Sequence, residues 1–173
     1  CTVSSNACTV TVAAADLQAL TNGNTYTITV NVDDVAENSA TPDTGDTFVY
    51  DITAPSISDV VPSWGTYLNA AEDNADGTIV VTTADSANGA TVTVTGMGVT
   101  DTCTVSSNAC TVTVAAADLQ SLTDGTTYTI NVALTADAAG NTATSDTGDT
   151  FVYDITAPSI SDVVPSWGTY LNA

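Results

Sequence analysis

Alternating apolar and polar residues dominate this chain, with the period of two that is typical of strands buried on one face. In Ala90 to Thr95 the apolar residues and threonine take turns along the whole stretch. Turn-forming pairs such as Asn88-Gly89 and Asp124-Gly125 separate such stretches. Between residues 52 and 154 the pattern predicts strands at 56–61, 77–83, 90–95, 99–104, 110–114, 127–135 and 150–153.

These short strands predict an all-β fold. Seven of them in about a hundred residues favour an antiparallel immunoglobulin-like sandwich. Only Ala115 to Leu122 suggests a helical turn. Tyr128 opens a strand just after Asp124-Gly125, where such sandwiches place a corner tyrosine that bonds back to the preceding loop. The alternative is a tyrosine packed at the end of the sheet.

The chain repeats itself with a period of about a hundred residues. Residues 1–20 match residues 103–122 with a single difference, Ala19 against Ser121. The octet Phe48–Pro55 returns unchanged as Phe151–Pro158. Because proline excludes the helical conformation from the residue before it, each octet predicts an extended boundary between units.

The repeat divides the chain into three parts. We predict the C-terminal half of one unit at 1–51, a complete unit at 52–154 and the start of the next at 155–173. The two incomplete ends together lack a counterpart of residues 71–102. With no initiator methionine, signal peptide or transmembrane run in view, we expect a window from a longer tandem array.

The charge composition narrows the chemistry. The 173 residues include 20 acidic side chains and no lysine, arginine or histidine, so the net charge is −20. Nucleic acid and anionic membranes are disfavoured as partners, since both need a basic surface. Catalysis through histidine relays or lysine Schiff bases is excluded. A hydrophobic content of 43% argues against a disordered acidic tail, and a dissolved divalent cation is the candidate counter-charge.

Each cysteine pair flanks the same six residues. Cys1 and Cys8 enclose Thr-Val-Ser-Ser-Asn-Ala, and so do Cys103 and Cys110. Two strands meeting at Ser106-Ser107 would place the cysteines within bridging distance. We therefore predict hairpin disulfides, each worth roughly 2.5 kcal/mol in the chain-entropy model, and an oxidising, extracellular setting. Metal binding by two thiolates without histidine, or links between chains, are the weaker alternatives.

Six segments occur in an order that resembles a known family. They are A-P-S-I-S (54–58), Y-L-N-A-A-E-D (67–73), N-G-A-T-V-T-V (88–94), A-A-D-L-Q-S-L-T-D-G-T-T-Y-T-I (116–130), D-A-A-G-N-T-A (137–143) and V-Y-D-I-T-A-P (152–158). Together they resemble the bacterial immunoglobulin-like repeats of giant secreted adhesins. The resemblance implies a long extracellular stalk whose domain joints are stiffened by bound calcium.

The resemblance also implies a set of calcium ligands. At the first joint it points to Asp34 and Asn38, to Asp51 in the linker and to Glu72, with Asp73 as a further candidate. At the second joint it points to Asp137, Asn141 and Asp154, and the matching glutamate would lie beyond Ala173. Calcium also suits a protein that offers only oxygen ligands, whereas zinc and copper do not.

Two alternatives bear on these acids. Glu37 stands where the other copy has Gly140, so it either strains the loop or adds a ligand. Any single acid in the set can instead belong to a solvated surface. The Asp-Thr-Gly-Asp stretches at 43–46 and 146–149 contain the aspartic-protease tripeptide, but the residues around them favour simple turns.

Aromatic residues raise a binding hypothesis. Trp64 and Tyr67 recur as Trp167 and Tyr170, and exposed rings of this kind could stack on sugars or on another chain. Packing of Trp64 on its own core or at the joint is the favoured alternative.

The sequence as a whole predicts a non-enzymatic stalk module of a microbial cell-surface adhesin or extracellular fibre. Its partners would be the neighbouring repeats of the same chain, without nucleic acid and without membrane insertion in this segment. The alternatives are a self-assembling filament subunit with lateral contacts between chains, and a glycan-binding module.

Overall fold

The computed structural model describes residues 1–86 and 88–171; the last two residues of the predicted third unit lie outside this range. The elements, in chain order, are α1 (Ala14–Gln18), β1 (Thr25–Val30), β2 (Asp43–Val49), β3 (Ser56–Pro62), β4 (Tyr67–Leu68), β5 (Gly77–Ala84), β6 (Thr91–Thr95), β7 (Thr100–Thr104), β8 (Ala109–Val114), α2 (Ala116–Leu119), β9 (Thr126–Leu134) and β10 (Asp146–Tyr153).

Strands β3 to β10 form an all-β immunoglobulin-like sandwich, as predicted. One sheet has the order β4-β10-β9-β6-β7 and the other the order β3-β5-β8. All neighbouring strands are antiparallel except β4, which runs parallel to β10. Strands β1 and β2 pair with each other in a separate two-stranded sheet.

The core follows the alternation in the sequence. Ile79 and Val81 of β5 point inward between exposed or half-buried neighbours, and Val92 and Val94 of β6 do the same. Inward residues of β8 and β9 meet them in one hydrophobic cluster. Each strand thus buries its valine or isoleucine face and leaves its threonine face partly exposed to water.

The two cysteine-bearing strands of the complete unit lie in different sheets. β7 pairs with β6 and β8 pairs with β5, and backbone pairing next to the turn that connects them is the isolated bridge between Ser106 and Ala109. Both predicted disulfides are confirmed. The predicted hairpin pairing is wrong beyond its turn, because each strand has a full-length partner in its own sheet. The disulfide Cys103–Cys110 consequently links the two sheets, and the first unit contains the equivalent bridge Cys1–Cys8.

The Asp-Thr-Gly-Asp stretches begin strands rather than forming turns. They open β2 and β10, and the pairing of β10 with β9 shifts register between Asp146 and Asp149. Asp146 Oδ1 accepts a hydrogen bond from the Gly148 amide at 3.2 Å within this irregularity. The stretch therefore behaves as a bulge at the start of a strand, so turn chemistry and strand pairing coexist there.

Identical sequences have different surroundings in the two units. Val3 is 51% exposed, whereas its counterpart Val105 is 1% exposed. The chain holds one copy of residues 71–102, which contribute β5, β6 and the first three residues of β7 to the complete unit. Burial of this sequence therefore depends on strands that lie far away along the chain.

Gly77 allows Trp64 to close one end of the core. The Trp64 ring packs edge-on against Phe151, with ring centroids 5.2 Å apart, and covers the backbone of Gly77. A β-carbon on Gly77 would collide with this ring and would press on Leu119, 3.1 Å away. The first residue of β5 is thus restricted to glycine by packing.

We expect Gly77→Ala to lower the free energy of unfolding by about 1–3 kcal/mol, because the core must shift to admit one methyl group. This corresponds to a loss of at least about 4 °C in Tm for a domain of this size. Gly148→Ala is the matched control, since its β-carbon would make only an ordinary contact. Equal melting temperatures for the two variants in calorimetry would contradict the packing argument.

Candidate functional site

The junctions between units form the candidate site, and both have the same local geometry. We call residues 51–55 the first linker and residues 154–158 the second linker. The second linker follows β10 directly, and the first linker follows β2 after one residue, Tyr50. The Gly23 amide donates to the Tyr50 carbonyl at 2.7 Å, and the Gly125 amide donates to the Tyr153 carbonyl at 2.8 Å. The turn before β1 or β9 therefore holds the end of the unit in place.

A polar side chain in that turn also holds the linker. At the first linker, Asn22 Oδ1 accepts from the Ile52 amide at 2.9 Å, and Asn22 Nδ2 donates to Thr53 Oγ1 at 2.6 Å. At the second linker, Asp124 Oδ1 accepts from the Ile155 amide at 2.9 Å. The Thr156 hydroxyl donates to Asp124 Oδ2 at 2.6 Å.

The sequence pattern indicates only a turn at Asp124-Gly125 and does not distinguish Asn22 from other polar turn residues. The sequence does contain a signal for this contact: a polar residue before glycine, at Asn22 and Asp124, recurs together with a threonine in each linker. Neither residue type is unusual in a turn, so the signal identifies the pair only once the fold places them together.

The linker aspartates organise the same segment from within. Asp51 Oδ1 accepts from the Thr53 amide at 2.9 Å, and Asp154 Oδ1 accepts from the Thr156 amide at 3.1 Å. Each aspartate thus makes a local turn with the residue two positions later. One oxygen of each predicted calcium ligand in the linkers is therefore used to shape the linker itself.

The loop that contains Asp137 and Asn141 approaches the first linker from the following unit. Asn141 Nδ2 donates to the Asp51 carbonyl at 3.2 Å. Asp137 Oδ1 accepts from the Ala139 and Asn141 amides, both at 2.9 Å, and Asp137 Oδ2 accepts from Asn141 Nδ2 at 2.9 Å. The Asn141 side chain and these amides hold the pKa of Asp137 below its ordinary value.

The equivalent loop of the first unit has the same internal bonds. Asp34 accepts from the Ala36 amide and from both the amide and the side chain of Asn38, at 2.8 to 2.9 Å. The Asn38 side chain is the main cause that lowers the pKa of Asp34. Glu37 adopts a φ of 66° where Gly140 has 90°, a left-handed conformation that is strained for a residue with a side chain.

Glu72 and Asp73 lie at the opposite end of their unit from Asp137. Asp73 is 6% exposed and accepts a hydrogen bond from the Tyr153 hydroxyl at 2.7 Å. Glu72 Oε2 accepts from the Asn69 amide at 3.1 Å, and Asn69 lines a pocket with Asp154. The hydrogen bond to Asp73 raises the pKa of Tyr153 to about 12, so the phenol remains a donor at physiological pH.

The predicted calcium ligands therefore lie near one another in different combinations from those that the resemblance implies for the two joints. Asp51 meets Asn141 of the unit that follows it, and Asp154 lies near the segment that precedes Glu72 in its own unit. The hydrogen bonds of Asp34 stay within its own loop. Successive loops of a sandwich alternate between its two ends, which places the 137–141 loop and the Glu72 segment at opposite ends.

The predicted corner tyrosine is confirmed, and the aromatic candidates divide into two environments. The Tyr128 hydroxyl accepts from the Thr123 amide at 2.8 Å, and the first unit has the same bond from Thr21 to Tyr26 at 2.7 Å. Trp64 is buried, which is the packing alternative. The side chains of Tyr67, Trp167 and Tyr170 are exposed, by 63%, 58% and 89% respectively.

Residues 1–86 and 88–171 contain no group of three or more histidine, cysteine, aspartate or glutamate side chains that could hold a metal ion. Within the same ranges, every helix is too short to cross a membrane.

Three of the solved structures that are similar to this chain are bacterial adhesins. An immunoglobulin-like domain from the M. primoryensis ice-binding adhesin has 30% sequence identity over 58% of this chain and 95% of that domain, with a TM-score of 0.43. A Ca2+-stabilized adhesin that helps an Antarctic bacterium reach out and bind ice has 31% identity over 86% of this chain and 35% of its own, with a TM-score of 0.46.

The third structure concerns the host cell surface retention of a 1.5-MDa bacterial ice-binding adhesin. It has 28% identity over 77% of this chain and 43% of its own, with a TM-score of 0.45. This chain thus spans less than half the length of two of the three similar structures. No protein-family profile and no curated protein sequence matches the chain.

We expect Tyr153→Phe to lower the free energy of unfolding by about 1–3 kcal/mol, because it leaves the buried Asp73 carboxylate without its hydroxyl donor. Tyr67→Phe is the control, since Tyr67 is exposed. Chemical denaturation of both variants measures the difference. A Tyr153→Phe protein as stable as the control would show that this buried hydrogen bond makes no net contribution.

Proposed function

Because this chain belongs to the family of bacterial immunoglobulin-like domains, we propose that it is a segment of the extended stalk of an extracellular adhesin. Its role is to carry length and stiffness, with units divided at residues 51/52 and 154/155 and no catalytic activity. The observation that carries the proposal is the first linker, which is bonded by Asn22 of the preceding unit and by Asn141 of the following one. A linker held from both sides favours a stiff array.

The edges of the sandwich favour a single stalk over a laterally assembled filament. β7 is an edge strand, and its Asp101 has a buried carboxylate oxygen without a hydrogen-bond partner among the described residues. β3 is another edge, and it carries Pro62 and a register shift between Ile57 and Asp59. Inward charges, prolines and bulges at edges oppose the addition of a further strand. The glycan-binding alternative now depends on Tyr67 and its counterpart, because Trp64 belongs to the core.

Calcium at the joints is the finer part of the proposal. Asp51, Asp137 and Asn141 come together at the first linker, where calcium would need six to eight oxygen ligands. The Glu72 segment lies beside the second linker. We infer that a complete ligand set combines Glu72 and Asp154 of one unit with the counterparts of Asp137 and Asn141 in the next. Each joint of this chain then contains one half of that set.

The test uses a tandem array of three copies of residues 52–154, which contains both halves at each internal joint. Extracellular calcium modules have dissociation constants of about 0.1–1 mM. At a hundredfold excess of calcium each site would stabilise the array by about 2.7 kcal/mol. We expect EDTA to lower Tm and to shorten the maximum dimension in X-ray scattering.

Glu72→Gln and Asp154→Asn should reduce the calcium effect, whereas Asp149→Asn, in the middle of β10, should leave it intact. An array whose scattering profile and Tm are the same in calcium and in EDTA would remove calcium from the proposal. Ordered filaments with lateral contacts in electron micrographs, instead of single beaded strands, would favour the filament alternative.

A further inference from the structure

The two linkers are bonded in the same way although the residue that holds them differs. Asn22 and Asp124 occupy the same turn, and both accept the amide of the second linker residue at 2.9 Å. Because the same hydrogen bond occurs at both linkers with the same length, it belongs to the repeat itself and does not depend on the neighbours that each unit has in this chain.

The threonine in each linker explains why asparagine and aspartate can replace one another. Thr53 Oγ1 accepts a hydrogen bond from the Asn22 amide group. The Thr156 hydroxyl donates to the Asp124 carboxylate at the same distance of 2.6 Å. A hydroxyl can act either as donor or as acceptor, so the contact survives the change from amide to carboxylate by reversing its direction.

These contacts leave little freedom at the start of each linker. The Tyr153 carbonyl, the Ile155 amide and the amide and hydroxyl of Thr156 are all hydrogen-bonded. The Asp154 amide donates to the Leu68 carbonyl at 2.9 Å. Pro158, two residues after Thr156, has a fixed φ. The unit that a linker leaves thus fixes the direction in which the linker exits.

We propose that Asn22 and Asp124 are linker-positioning residues that set the exit direction of the chain from each unit, without a bound cation. We call this contact with the linker amide and threonine the clasp. Its purpose depends on the proposed stalk, but its existence does not depend on calcium. The clasp would place each linker so that the loop of the following unit, represented by Asn141 at the first joint, meets it in a defined orientation.

The experiment measures amide hydrogen exchange by NMR on the 173-residue chain in EDTA, so that a failure of the calcium proposal leaves the result unaffected. We expect Asp124→Ala to accelerate exchange at Ile155 by at least about tenfold, since a hydrogen bond to a charged acceptor is lost. Asp124→Asn should keep the protection, because Asn22 makes the same bond at the first linker. Ile52 and Thr53 serve as the internal control in both variants.

Thr156→Val provides a second variant that leaves the turn of the unit untouched. It should accelerate exchange at Ile155 and Thr156 by a few-fold while β9 and β10 keep their protection. Unchanged exchange in this variant and in Asp124→Ala would overturn the proposal. An Asp124→Asn protein that exchanges as fast as Asp124→Ala would overturn it as well, because the clasp requires only an acceptor oxygen.

The pH dependence separates the clasp from a general effect on folding. The Thr156 hydroxyl and the Ile155 amide hold the pKa of Asp124 below its ordinary value of 3.8. A lowered pKa means that the contribution is complete above 3.8 and is lost as the pH falls through the folded value. Asp124 interacts electrostatically with the Tyr153 phenol, which donates to the buried Asp73, and the nearby Asp154 carboxylate accepts from the Thr156 amide.

We expect the amide proton of Ile155 to move in chemical shift as the pH falls below 3.8 in the wild-type chain and to stay in place in Asp124→Asn. The Tyr153 phenol, whose pKa is raised to about 12, stays protonated in this range, and Asp154 bonds to the Thr156 amide instead of the Ile155 amide. The same acid shift at Ile155 in both proteins would assign it to Asp154 or to unfolding and would contradict the clasp.

Discussion

Every carboxylate of this protein must find its partners without the help of a basic side chain, since the chain contains no lysine, arginine or histidine. Many of the carboxylates therefore accept hydrogen bonds from backbone amides, hydroxyls and amide side chains, although one buried oxygen of Asp101 has no partner among the described residues. Asp137 accepts three such bonds within its loop, and Asp124 accepts one from a backbone amide and one from a hydroxyl. Even the buried Asp73 is satisfied by the Tyr153 hydroxyl. Loops, linkers and one end of the core are all shaped by this constraint.

The absence of basic side chains also determines how the junctions between units are ordered. A carboxylate that accepts bonds from nearby backbone amides fixes the backbone around it, so acids that repel one another at a distance still order the chain locally. Repulsion between units that carry only negative charge favours an extended array, within the limits set by screening in salt. The clasp on one side of the linker and Asn141 on the other then define its path. Extension and local order thus come from the same residues.

The strands of the complete unit and the corner tyrosine Tyr128 could be predicted from the sequence, because local periodicity and turn residues determine them. The two-residue strand β4 was missed, since a pairing of Val152 and Tyr153 with Tyr67 and Leu68 leaves no periodic signal. The pairing of β7 and β8 was also mistaken: short strands joined by a tight turn look like a hairpin whether they stay in one sheet or separate into two. The calcium ligands remain predictions, and the contacts between those residues could not be predicted, because they depend on which ends of the sandwich meet at a joint.

The amino-acid sequence is sufficient to establish the repeat and the inward face of each strand. It also shows that the carboxylates must pair with neutral hydrogen-bond donors or with cations from solution. These follow from residue types and spacing, which act over a few positions. The tertiary structure alone decided burial and proximity. Val3 and Val105 share the same local sequence, yet only Val105 lies in the core, because only the complete unit contributes β5, β6 and β7. Likewise, the winding of the sandwich places Asp137 and Glu72 at opposite ends, which no local pattern records.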